Sequence, residues 1–252
     1  MRALVLGGGG VAGIAWEIGI LHGLGEAVLD VDVIVGTSAG SVVAAAVNQI
    51  PVAEAYERQT TPSPPRADAA GPVPAIGKLM QLFAEIAALP EPEQLRRVAD
   101  AALSAQTMPE DVFRKLIGTS LPSPDWPRRR VAVVAYDTAT CERTVFTKDS
   151  GVDLLSAVAA SCSVPGVFPP VTIDGKRYMD GGSARSTNSD LVAGYDEVLV
   201  ISPMAGVNPV ATARVITPDR ASLVAMMPNV LDPASRGPSA EAGYRQGKAL
   251  RL

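Results

Sequence analysis

Three groups of residues in this chain have the types and spacing for nucleophilic chemistry. The first is Gly36-Thr37-Ser38-Ala39-Gly40, set between the apolar run Val31-Asp32-Val33-Ile34-Val35 and the small-residue run Ser41 to Val47. The first run reads as a buried strand and the second as a helix. A serine at such a junction, with small residues two positions away on either side, is a nucleophile-elbow pattern. The turn is too sharp for side chains at those positions. The hydroxyl stands clear of the sheet, and the positive end of the helix dipole points at it. The competing reading is an ordinary strand-to-helix turn in which Ser38 caps the helix.

A serine hydroxyl needs a base. The chain has one histidine, His22, in the middle of the first expected helix, where a packed role suits it better than catalysis. A Ser-His-Asp triad is therefore disfavoured by inventory, and a carboxylate must serve. Asp180 is the best candidate. It ends a hairpin strand, and Gly181-Gly182 behind it permit close approach of backbone or substrate. A carboxylate of ordinary pKa, about 4, is a weak base. Direct hydrogen bonding to Ser38 in a partly dry site would compensate. Taken alone, Asp180-Gly181 reads better as a surface turn.

The third group is Gly7-Gly8-Gly9-Gly10, which leads into a helix. Acyl transfer places negative charge on a carbonyl oxygen, and each fixed N–H donor aimed there is worth roughly 3–4 kcal/mol in other enzymes. The N–H groups of Gly8, Gly9 and Gly10 could supply such an oxyanion hole. A rival use exists: Gly8-x-Gly10-x-x-Gly13 fits a dinucleotide fingerprint, with Asp30 and Asp32 following. That use needs its acid at the carboxyl end of the second strand, where this chain has Gly36-Thr37-Ser38. Nucleotide binding is accordingly the weakest alternative.

The elements that must position these groups follow from periodicity. Ala3 to Leu6 is a short strand, Val11 to Val28 a helix buried on most sides, and Val31 to Val35 the strand that delivers Ser38. Gly19 and Gly23 would let a neighbouring element come close. Strand and helix in this alternation imply a parallel sheet with right-handed crossovers. Thr60 to Pro74, rich in proline, reads as an irregular linker or flap. Ile76 to Leu89, Glu93 to Ser104 and Glu110 to Ile117 read as helices that either cap the site or cover one sheet face. Arg130 to Tyr136 and Arg143 to Thr147 read as strands and Val152 to Ala160 as a helix. The proline-bearing segment Ser161 to Pro170 is irregular. Val171 to Ile173 and Lys176 to Met179 form a hairpin about Asp174-Gly175. Glu197 to Ile201 and Arg214 to Ile216 read as strands, and Ala221 to Met227 and Ser239 to Leu250 as helices.

The 252 residues are 47% hydrophobic and 19% charged, enough for a sizeable core and against disorder. A net charge of −4 offers no general attraction to nucleic acid. Arg128-Arg129-Arg130 is the one basic cluster and reads as a solvated loop. Cys141 and Cys162 fit no metal spacing, and no run reaches the length of a membrane span. The expectation is a cytoplasmic protein, in contact with a membrane surface at most peripherally.

Together, Gly7 to Gly13, Gly36 to Gly40, the segment with Phe168-Pro169-Pro170, and Asp180-Gly181-Gly182 occur in an order and spacing that resembles the patatin-like phospholipases. The resemblance covers about residues 1–50 and 130–216. It implies a three-layer α/β/α fold with a mostly parallel central sheet, and lipid acyl hydrolysis by a Ser-Asp dyad without histidine. Carried over by position, Ser38 is the nucleophile, Asp180 the base, and Gly8, Gly9 and Gly10 the oxyanion hole, with no metal or other cofactor. Two departures stand out: Ala12 where the family commonly has a basic residue, and Ser183-Ala184-Arg185-Ser186-Thr187-Asn188 where an Asn-Pro loop is common. The expected organisation is a single domain over 1–252 with a helical, proline-rich insertion at about 51–127. The expected substrate is an acylated lipid or related ester, cleaved through an acyl-enzyme. A catalytically impaired lipid- or acyl-binding protein of the same fold is the alternative. Oligomeric state, head-group and acyl length stay open.

Overall fold

The computed structural model describes residues 1–62, 73–204, 210–211 and 213–250. The expected linker at Thr60 to Pro74 lies largely outside them. Eight strands among the described residues form one mixed sheet: β1 (Arg2–Leu6), β2 (Val33–Thr37), β3 (Arg130–Asp137), β4 (Arg143–Phe146), β5 (Val171–Ile173), β6 (Lys176–Asp180), β7 (Glu197–Ile201) and β8 (Ala213–Ile216). β3, β2, β1, β7 and β8 run parallel in that order, as the strand–helix alternation requires. At the other end the sheet turns antiparallel.

That antiparallel end positions the site. β4 lies along Val133 to Tyr136 of β3, on one edge. β2 and β6 must then share the opposite edge. β2 takes Arg130 to Val134 and stops with Thr37 opposite Val134. β6 takes Asp137 to Ala135, running the other way, and stops with Asp180 opposite Ala135. Two strands distant in sequence thus end head to head on consecutive residues of a third. Each of the first two chemical groups leaves the sheet at that meeting point.

One sheet face is covered by α1 (Gly10–Leu24), α2 (Ala39–Gln49), α7 (Leu154–Ser161) and α9 (Arg236–Ala249), with α3 (Val52–Thr60), α6 (Glu110–Gly118) and α8 (Arg220–Met226) packed beside them. The main core lies here, from Leu4, Leu6 and Ile34 to Trp16, Val43 and Phe113. The opposite face carries Val5, Val35, Val134 and Val200 under a short 3-10 turn, Ser189–Val192. Farther along it carries Tyr136 and Met179 under α4 (Val73–Ile86) and α5 (Glu91–Ser104). Helices therefore flank both faces, and those expected between 76 and 117 divide between them. α5 covers one face through Leu95, Val98 and Ala99, and α6 packs on α7 behind the other.

The long first helix ends sooner than its apolar run suggests. Gly25, at φ 86, breaks it after Leu24, and Glu26–Leu29 continues as a 3-10 turn. α3 has no counterpart among the sequence expectations. Its few apolar residues, Val52, Ala55 and Tyr56, follow directly on α2 and pack on α1 and α9. The close approach expected at Gly19 and Gly23 is made by α9. A methyl group on Gly19 would strike the Ala240 carbonyl, and one on Gly23 the Tyr244 carbonyl. Gly243 and Gly247 of α9 return the contact against the carbonyls of Trp16 and Ile20. The two helix backbones touch, which residues with side chains would prevent.

Candidate functional site

Ser38 follows β2 with φ 53 and ψ −119, a conformation that costs a non-glycine residue about 1–3 kcal/mol. Contacts on both sides impose it. A Cβ on Gly40 would run into the Leu6 carbonyl, and one on Gly36 would lie 2.6 Å from Ser41 Cα. The Ser38 side chain caps no helix N–H. The ordinary-turn reading of Ser38 as an N-cap therefore does not describe its geometry.

Asp180 is 5% exposed and Ser38 7%, so both groups sit largely out of water. Asp180 Oδ1 accepts the Gly182 N–H at 2.7 Å. Oδ2 is enclosed without a partner of hydrogen-bonding geometry, while the Ser38 hydroxyl lies near enough to favour the anion. Desolvation outweighs both effects and pushes the Asp180 pKa up to about 6. A carboxyl at that value is a far better proton acceptor than an ordinary aspartate and is still ionised at neutral pH.

The glycine loop lies on the other side of Ser38. A Cβ on Gly8 would stand 3.5 Å from Ser38 Cβ. The N–H groups of Gly8, Gly9 and Gly10 meet no acceptor among the described residues, whereas Gly7 donates to the Ile201 carbonyl at 3.0 Å and Ala12 to the Val230 carbonyl at 2.9 Å. Gly10, at φ 63, turns the chain into α1. The Gly7 carbonyl accepts the Gly40 N–H at 2.9 Å, tying this loop to the helix behind Ser38. The structure thus brings together Ser38, Asp180 and, through Gly8, the glycine loop.

It keeps the other candidates apart. His22 is some twelve residues along α1 from Gly10, about 18 Å at 1.5 Å per residue. Its ring is stacked between Tyr56 and Tyr244, with centroids 4.7 and 4.8 Å away. Asp30 and Asp32, the acids a dinucleotide would require, precede β2, where the Arg2 side chain pairs with Asp30 and the Arg2 N–H donates to Asp32.

Three sets of residues that the motifs do not single out hold the arrangement. Ser161 Oγ accepts the Ser38 N–H at 2.9 Å, and its carbonyl accepts the Gly181 N–H at 3.2 Å. The Ser163 carbonyl next to it accepts the Asp180 N–H at 2.9 Å. From the other side, the buried Asn188 amide donates to Thr37 Oγ1 at 3.0 Å and to the Gly181 carbonyl at 3.1 Å. The loop that departs from the Asn-Pro pattern therefore still presents an asparagine to the meeting point of β2 and β6. The third is Glu17 of α1, 0% exposed, whose Oε1 accepts the Gly7 N–H at 2.9 Å. Desolvation raises its pKa well above the ordinary value against the opposing Gly7 bond. A glutamate in so apolar a helix was the one available sequence signal for it.

The fold and this elbow define a serine-centred α/β protein, and comparison with known families gives it a place. A sequence profile described as patatin-like phospholipase matches residues 4–192. The chain belongs to the patatin-like phospholipase family. Two solved structures are also similar to it. VipD from Legionella pneumophila shares 12% identity at a TM-score of 0.48, covering 98% of this chain and 66% of its own. The type III effector protein ExoU shares 16% identity at a TM-score of 0.36, covering 98% and 53%. The chain thus spans less than two thirds of either protein's length, and at these scores the likenesses carry no further inference. Among the described residues no helix is long and apolar enough to cross a membrane.

Proposed function

We propose that this protein hydrolyses carboxylic esters of acylated lipids through Ser38 and Asp180. Ser38 Oγ attacks the ester carbonyl as its proton passes to the Asp180 carboxylate. The N–H groups of Gly8, Gly9 and Gly10 stabilise the oxyanion. The proton then moves from Asp180 to the departing alcohol, leaving an acyl-enzyme. Water, deprotonated by the same carboxylate, releases the acid and restores the serine. The protein works without a bound cofactor, from the aqueous cytoplasm, and meets its lipid in transient contact with a membrane surface.

One observation carries this reading. A serine held in a strained backbone conformation lies beside a buried carboxyl whose pKa is about 6, with the glycine loop next to it, its Gly8–Gly10 N–H groups without an acceptor among the described residues. Family membership supports the choice of a lipid ester over other acyl donors. The test is labelling with a fluorophosphonate, followed by turnover of p-nitrophenyl esters of graded chain length. Ser38 should be the labelled residue, and turnover should vanish with it. Failure to label any serine would favour a protein that binds acyl chains without cleaving them.

A further inference from the structure

Hydrogen-bond accounting does not require Glu17. The Gly7 N–H that meets its Oε1 already donates to the Ile201 carbonyl, extending the β1–β7 ladder by one residue. That donor would be satisfied without the acid. Oε2 has no partner among the described residues, so the side chain carries an uncompensated polar atom into the core. An apolar residue of the same volume would be the more stable choice. A burden of this kind, retained next to a reactive loop, is characteristic of function rather than packing.

The position explains what it can do. Side chains on a helix lean toward its N-terminus, so Glu17 reaches back under the loop that opens α1. Gly7 is the root of that loop. Its carbonyl is fixed by Gly40, and the next residue, Gly8, faces Ser38. Glycine has no side chain to resist rotation of its peptide units. A second acceptor on the Gly7 N–H restrains the Leu6–Gly7 peptide from which the loop springs. We propose that Glu17 is a positioning residue for the glycine loop, holding the Leu6–Gly7 peptide at the tilt from which the Gly8–Gly10 donors are aimed at the developing oxyanion. The proposal rests on the Ser38–Asp180 reading above.

The experiment uses the full chain with p-nitrophenyl ester substrates and compares Glu17→Met, Glu17→Gln and Ser38→Ala. Loss of aim weakens transition-state binding only. Glu17→Met should therefore lower kcat about tenfold or more with KM unchanged. Its Tm should hold or rise by a few degrees, because a buried polar burden is gone. Glu17→Gln, whose amide oxygen can accept the same N–H, should recover kcat to within about threefold. A wild-type kcat in Glu17→Met with Ser38→Ala inert overturns the role of Glu17 alone. A drop in Tm shared by both Glu17 variants identifies an ordinary packing residue and also overturns it. Turnover that survives in Ser38→Ala overturns the dyad, and this proposal with it.

Discussion

The two turns that meet on the edge of β3 are built differently. The elbow after β2 is enforced mainly by steric contact: Gly36 lies against Ser41 and Gly40 against the Leu6 carbonyl of β1, and Ser38 has no room to relax. The turn after β6 is held from afar, by the Ser161 and Ser163 carbonyls on one side and the Asn188 amide on the other. Local steric demand sets the nucleophile, and long-range hydrogen bonds set the base. The first kind of order survives loss of a neighbour. The second depends on every donor and acceptor finding its partner in a dry setting.

Substitutions at the two turns should therefore differ in kind. Ser38→Ala should lower turnover by roughly 10⁴-fold or more with little change in stability, as the backbone contacts that shape the elbow remain. Asp180→Asn should lower kcat by about 10³-fold while stabilising the protein. The sign follows from the raised pKa. The folded state binds this proton near pH 6 and the unfolded state near 3.8, so above pH 6 the buried charge opposes folding. That opposition amounts to about 3 kcal/mol at pH 8 and fades as the pH falls from 6 toward 3.8. Denaturant unfolding of both proteins at pH 8 and pH 4 measures it, and the stability difference should shrink to about 0.5 kcal/mol at pH 4. In the wild type, kcat/KM should fall with a midpoint near pH 6 on the acid side.

Smaller effects should follow from the bonds that hold the second turn. Asn188→Leu leaves the Gly181 carbonyl and Thr37 hydroxyl short of a donor and places a branched residue at φ 59. It should cost about 2–4 kcal/mol and lower kcat as well. Ser161→Ala removes the acceptor of the Ser38 N–H and should cost about 1–2 kcal/mol with a modest loss of kcat. If Ser161→Ala lowered stability more than Asn188→Leu, the elbow would depend on distant bonds as much as the Asp180 turn does, and the contrast would fail.

The same contrast explains what could be read from the chain. Gly36 to Gly40, the glycine run and the Asp174-Gly175 hairpin are local patterns with local causes. Strand positions followed from apolar runs, and the scarcity of histidine directed attention to Asp180. Nothing local announces that β2 and β6 share one edge of β3, since that follows only from where β4 pairs. Ser161 and Asn188 act on partners far along the chain, and a serine, an asparagine or a lone glutamate such as Glu17 has no spacing to mark it. α3 escaped because its apolar residues are few, and the end of α1 because Gly25 overrides an apolar run that continues past it. The helices between 76 and 117 were visible as helices, but their choice of sheet face is a tertiary matter.

The mesh of α1 against α9 has a bearing on how the chain is made. β1 and α1 carry the glycine loop, yet β1 gains its second neighbour from β7, and α1 gains its main partner from α9. Both partners lie beyond the stretch matched by the family profile. During synthesis β1 and α1 precede those distant pieces, so a strand edge and a helix face stay uncovered until β7 and α9 emerge.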